Sequence, residues 1–228
     1  MLTQKGANTS VVGISGNFDD AQSGVKKIFG DKEFAKELAG RGYQLSSANS
    51  INIGRLVPQV VYYVYAYAKL LENGEIENGE KINVTVPTGN FGNILAAYFA
   101  KQMGVPIDKL ICASNDNKVL YDFFKTGVYD KNRPFILTSS PSMDILISSN
   151  LERLIYLSTG CDAEETKKRM EELSKDGKYS VTDKMRARMA DFVGGYADQA
   201  ANAARSSVST MSRLYDRYAY RRCILRIP

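Results

Sequence analysis

At 228 residues, 44% hydrophobic and 24% charged, the chain has the composition of a globular protein long enough to bury a sizeable core. It contains no histidine, which removes Ser-His-Asp, Cys-His and HExxH chemistry. Its three cysteines (Cys112, Cys161, Cys223) have neither CxxC spacing nor histidine partners, so neither a zinc site nor a disulfide framework is supported. The net charge of +5 comes from one end: residues 205–228 hold six arginines against Asp216 alone, and the rest of the chain is balanced. Tyrosines in that stretch (Tyr215, Tyr218, Tyr220) follow helical spacing, so nucleic acid is not the expected partner. No run of 18 apolar residues occurs, and Met1–Ser10 lacks a basic-then-apolar leader pattern, so the sequence reads as cytoplasmic.

Taken in order, the β-branched run Thr9–Ser15 suggests a strand, and Phe18–Gln22 opens a helix whose first turn carries Asp19 and Asp20, acids suited to a helix N-terminus. Val25, Ile28, Phe29, Phe34 and Leu38 continue it to Gly40 and Gly42. A short strand over 44–48 leads into Asn49-Ser50-Ile51-Asn52 and a long helix through Tyr67 to Leu71, with Arg55 just inside it. Polar side chains before a helix N-terminus, with an arginine behind them, suit an anion; the same pattern also serves as plain capping with a surface ion pair. Tyr62, Tyr63, Tyr65 and Tyr67 read as packing residues.

After the polar turn at 72–80, an apolar strand (Ile82–Pro87) runs into Thr88-Gly89-Asn90-Phe91-Gly92-Asn93 and then an apolar helix (Ile94–Met103). The glycines permit positive-φ or crowded backbone, and amides of the first helical turn lack intrahelical partners, which together make a phosphate cradle. An ordinary strand-to-helix turn has the same glycine requirement. A further strand over 109–113, a helix from Asn117 to Tyr129, a helix from Asn150, and one capped by Asp162 with Glu165 three residues on complete the reading, and the remainder to Tyr220 is helix-rich. The alternation of strands and helices predicts an α/β fold, a parallel sheet flanked by helices in three layers with a helix-rich C-terminal part. The loops at 16–20, 49–52 and 88–93 all follow strands, at whose carboxyl ends ligands of such sheets lie.

Gly89-Asn90-Phe91-Gly92-Asn93 resembles the loop with which threonine synthases, pyridoxal-phosphate enzymes of fold type II, hold the cofactor phosphate. Gly16–Gln22, Asn49–Arg55 with Gln59, Ser140–Ile145 and Ser149–Arg153 resemble further stretches of that family, in the family's order. The resemblance implies pyridoxal 5′-phosphate bound at Gly89, Asn90, Phe91, Gly92 and Asn93, and a substrate phosphate at Asn49, Ser50, Asn52 and Arg55. It implies conversion of O-phospho-L-homoserine and water to L-threonine and phosphate. No lysine stands in the family's Ser-Phe-Lys-type setting, and the Asp-Pro-His-Thr-Ala-Val-like segment expected after Leu214–Tyr218 is replaced by Ala219–Pro228. The expectation is therefore an incomplete member, inactive alone, that associates with itself or with a complementary N-terminal segment. Its residues 1–55 would be the remainder of a small subdomain and 56–228 a large phosphate-binding one. A non-catalytic phospho-ligand module and another fold type II enzyme such as a dehydratase stand as alternatives.

Overall fold

The computed structural model describes residues 6–8, 10–16, 18–47 and 49–197, together with the backbone of 223–225. It divides between Ser46 and Ser47 into two compact units. The first contains α1 (Phe18–Gly30) and α2 (Lys32–Gly40). One continuous helix is expected here from the apolar spacing. Asp31 interrupts it, because its carboxylate accepts the Phe34 amide at 2.9 Å and so starts a new helix. Residues 10–14 and 44–47 are irregular where strands are expected; no strand of the described sheets pairs with them, and a strand without a ladder leaves its amides unpaired. Asn17, Ala48, the Asp19 side chain and the arginines of 205–222 lie outside the described residues.

The second unit is built on a four-stranded, all-parallel sheet. Its strands are β1 (Ile82–Pro87), β2 (Ile107–Ser114), β5 (Phe192–Tyr196) and β6 (Cys223–Leu225), in the order β5-β2-β1-β6. A separate antiparallel pair joins β3 (Val128–Asp130) to β4 (Lys178–Ser180). In β1, five of the six residues are buried, as expected of a strand covered on both faces in a parallel sheet. Flanking helices are α3 (Ile53–Leu56), which passes through a 3-10 turn into α4 (Val60–Glu72), then α5 (Gly92–Gln102), α6 (Val119–Thr126), α7 (Leu151–Thr159), α8 (Ala163–Asp176) and α9 (Asp183–Arg188).

Helix α5 is buried around most of its circumference: Ile94, Leu95, Ala96, Ala97 and Ala100 are each fully enclosed. The alanines let it approach its neighbours closely, and α4 packs against it. Strand β5 falls in a stretch that reads as helical. Phe-Val-Gly-Gly-Tyr has weak strand propensity, but Gly194 fits where an added Cβ would lie 3.0 Å from the Tyr121 backbone of α6. Helix α8 begins as the sequence predicts, with the Asp162 carboxylate accepting the Glu164 and Glu165 amides at 3.0 Å. Glu165 does not complete a capping box; it pairs with Arg169 instead. Among the described residues no helix is long and apolar enough to cross a membrane, and no cluster of His, Cys, Asp and Glu could hold a metal ion.

Candidate functional site

The ladder of β1 continues one residue past its end, where the Thr88 amide donates to Ala113 O at 2.9 Å. The chain then turns into α5 through Phe91, whose φ of 68° and ψ of −2° are left-handed. The positive φ thus falls on a phenylalanine and not on Gly89 or Gly92. A left-handed L-residue costs roughly 1–2 kcal/mol. Burial offsets that cost: the Phe91 ring is 1% exposed and lies 6.0 Å from the Phe124 ring and 5.5 Å from that of Phe192. The two glycines serve close approach instead. A Cβ on Gly89 would run into the Ser142 carbonyl oxygen, and one on Gly92 would run into the Ser50 hydroxyl, with Ser50 Cβ at 2.6 Å and Asn150 Nδ2 at 3.2 Å.

The first intrahelical bond of α5 runs from the Leu95 amide to Phe91 O at 3.1 Å, so the carbonyls of Gly89 and Asn90 stand before the helix. Both carbonyls are taken by the segment before α7. Ser148 Oγ donates to Gly89 O at 2.6 Å, while the backbone N and side-chain Nδ2 of Asn150 both donate to Asn90 O at 3.0 Å. Asn90 Oδ1 accepts the Gly92 amide at 3.2 Å. Among the described residues, the Asn93 and Ile94 amides have no acceptor, as amides of a first helical turn, and lie at the positive pole of α5.

The Asn49–Asn52 segment lies against this turn. Ser50, 8% exposed, accepts at its Oγ from Asn150 Nδ2 at 3.0 Å. Asn49 and Asn52 spend their side-chain oxygens locally: Asn49 Oδ1 accepts the Ile51 amide at 2.8 Å, and Asn52 caps α3 by accepting the Gly54 amide at 2.9 Å. Arg55 is exposed on α3, and its carbonyl accepts from Gln59 Nε2 at 2.8 Å. The structure therefore joins Ser50 to the 89–93 loop directly, whereas Asn49 and Asn52 shape the turn that presents it.

Several residues that motif reading assigned no role complete the site. Arg153 donates from Nη1 to Ser50 O at 3.2 Å and from Nη2 to Ile51 O at 2.7 Å. Asn93 is oriented from both sides: its Nδ2 donates to Gln59 Oε1 at 2.8 Å, and its Oδ1 accepts from Tyr63 O–H at 2.6 Å. Tyr63 and Gln59 lie one helical turn apart, and that spacing was the signal that could have found them. Tyr63→Phe removes the hydroxyl that donates to Asn93 Oδ1 at 2.6 Å and to Asn93 O at 3.2 Å, with an expected cost of about 1 kcal/mol, measurable by urea unfolding with an unchanged slope.

The carboxyl end of β2 adds a buried polar cluster. Asp144, 4% exposed, accepts at Oδ1 from Asn115 Nδ2 at 2.7 Å, Asn117 Nδ2 at 3.2 Å and Thr138 Oγ1 at 2.7 Å, and at Oδ2 from the Thr138 amide at 2.9 Å. These bonds hold the 138–144 loop, and with it the Ser142 carbonyl, over Gly89. Two hydroxyls at this end, Ser114 Oγ and Ser149 Oγ, are buried without a partner among the described residues. Burial pushes the Cys112 thiol up to about 12, the hydrogen bond with Thr88 acting weakly in the other direction. It is a neutral core group and no nucleophile.

No protein-family model matches the chain. Over 159 residues it is 54% identical to threonine synthase-like 1 of Homo sapiens, an alignment covering 69% of this chain and 21% of the relative. It is 42% identical over 190 residues to threonine synthase of Saccharomyces cerevisiae, covering 79% of this chain and 35% of that protein. Among solved structures, PLP-bound threonine synthase from Brucella melitensis superposes with a TM-score of 0.72 at 41% identity, covering 87% of this chain and 40% of that one. Yeast threonine synthase superposes at 0.68 with 38% identity, covering 83% and 37%. The chain thus spans well under half the length of these relatives. On these similarities the chain belongs to the threonine synthase family, and its parallel sheet flanked by helices has the fold type II architecture of that family's members.

Proposed function

We propose that the second unit holds the phosphate of pyridoxal 5′-phosphate at Gly89–Asn93, as part of a threonine synthase-like conversion of O-phospho-L-homoserine and water to L-threonine and phosphate. The observation that carries this reading is the pair of acceptor-less amides, Asn93 and Ile94, at the N-terminus of α5, behind two glycines at which no Cβ fits. The orphaned hydroxyls of Ser114 and Ser149 suit a polar ligand at the same end of the sheet. When bound, the cofactor supplies the electron sink for chemistry beside an amino group.

The residues of this chain do the holding. The Asn93 and Ile94 amides donate to the phosphate, and Gln59 and Tyr63 fix the Asn93 side chain. Asp144 keeps the covering loop in place. The Asn49–Asn52 turn, with Arg55 beside it, receives the phosphate of the substrate. No lysine of the sequence stands in the family's Ser-Phe-Lys-type setting, and on that ground the chain alone binds without turnover.

Titration of the purified chain with pyridoxal 5′-phosphate, followed by borohydride reduction and mass spectrometry, tests this reading. Saturable binding with only scattered, substoichiometric lysine labelling is expected. Absence of binding would refute the cofactor assignment. Phosphate release from O-phosphohomoserine by the chain alone would refute its inactivity.

A further inference from the structure

We propose that the outer face of α3 and α4 is a dimerisation surface whose occupant is a second copy of this chain. Ile53, Val57, Val61, Val64 and Tyr65 recur at intervals of three and four residues, which sets them on one stripe of the consecutive helices, and each is between 45% and 63% exposed. The other side of the same helices is buried: Leu56, Val60, Tyr63 and Tyr67 belong to the core, where α4 packs on α5. The stripe is therefore held outward and cannot turn in. About 500 Å² of apolar side chain is exposed along it, a patch of the size that marks an interaction site. Pairing two such stripes removes about 1,000 Å² in all, the lower edge of specific interfaces, so the dimer is weak and depends on concentration.

The shape and charge of the stripe suit a copy of itself. A helix surface is convex, unlike a small-molecule pocket, and with its other side in the core α4 has no basic face to lay on lipid. None of the stripe residues is charged, and at its C-terminal end Lys69 and Glu72 neutralise each other at 2.5 Å, so two copies meet without like charges. Antiparallel packing about a two-fold axis opposes the helix dipoles. Centred between Tyr62 and Tyr63, it sets Val57 against the small, exposed Ala68 of the second copy and Val61 against Val64. Such a contact uses the same patch on both copies and closes at two. Gln59 and Tyr63 reach Asn93 from the same pair of helices, so the dimer covers the outside of the element that supports the cradle.

Sedimentation velocity of the purified chain from about 5 to 500 μM tests the assignment. Wild type is expected to pass from the mass of one chain to that of two across this range. Val61→Glu is expected to weaken association at least about tenfold, because the dimer would bury a carboxylate at its centre. Val57→Glu and Ala68→Lys, each monomeric alone, are expected to form a mixed dimer when combined, since antiparallel pairing brings those two positions together between copies. Val25→Glu on α1 is the contrast: Val25 is also exposed, at 44%, and its dimer is expected to survive. All substituted side chains are exposed in the single chain, so far-UV circular dichroism should not change, and Val61→Lys carries the test if the glutamate variant does not fold. A wild-type chain that stays monomeric at the highest concentration would overturn the proposal. So would a dimer indifferent to Val61→Glu, one lost with Val25→Glu instead, or growth past two copies. Failure of the two monomeric variants to mix would overturn the antiparallel arrangement.

Discussion

Asp144→Ala lowers the midpoint of thermal unfolding by about 6–12 °C, the shift expected for a loss of about 3 kcal/mol in a chain of this length. The carboxylate is 4% exposed and accepts four hydrogen bonds, all from neutral donors: the Asn115 and Asn117 amides, the Thr138 hydroxyl and the Thr138 N–H. Each bond to a charged acceptor is worth roughly 1.5–3 kcal/mol, but the four share one carboxylate and do not add. Truncation also strands those donors in a dry site. Asp144→Asn is expected to recover part of the loss: it restores one acceptor while turning an N–H toward either Thr138 N–H or the asparagine donors. A melting point for Asp144→Ala within about 2 °C of wild type would show that the cluster does not anchor the loop. Because the same loop places the Ser142 carbonyl over Gly89, the variant should also bind pyridoxal 5′-phosphate more weakly.

Gly92→Ala is expected to weaken binding of pyridoxal 5′-phosphate by about 30-fold or more while costing about 1–3 kcal/mol of stability. The added methyl group meets Ser50 Cβ at 2.6 Å and Asn150 Nδ2 at 3.2 Å, and it overlaps the Ser50 hydroxyl. Those atoms cannot retreat without breaking the Asn150–Ser50 bond and the Asn150–Asn90 bond, each 3.0 Å long. Gly24→Ala provides the contrast, since a Cβ there meets nothing within 4 Å and alanine favours a helix interior. If Gly92→Ala bound the cofactor as wild type does, the close approach of the Ser50 turn would be unconnected with the ligand.

The reach of the sequence is clearest at α5. The apolar run before Thr88, the two glycines and the apolar helix after them identify a strand, a turn and a helix without reference to anything distant, and β1 and α5 lie where the pattern puts them. The roles inside the turn were not legible. The glycines suggested positive φ, but the left-handed residue is Phe91, because two aromatic rings 33 and 101 residues later in the chain bury it more firmly than a glycine could be held. Asn150 and Arg153 belong to a motif that resembles the family, yet nothing local says what they touch: their partners are 60 to 103 residues away. Irregular backbone over 10–14 and 44–47 has the same origin in reverse. β-branched residues permit extended chain, and only a neighbouring strand makes it a ladder.

Those long separations set an order of events during synthesis. The carbonyl of Asn90 leaves the ribosome 60 residues ahead of the Asn150 amide that will occupy it. At roughly 5–20 residues per second that is about 3–12 s of waiting. Throughout that interval the Asn90 carbonyl is without the two donors of Asn150 that it has in the folded chain. The turn that precedes α5 therefore reaches its final bonding only when the start of α7 has been made.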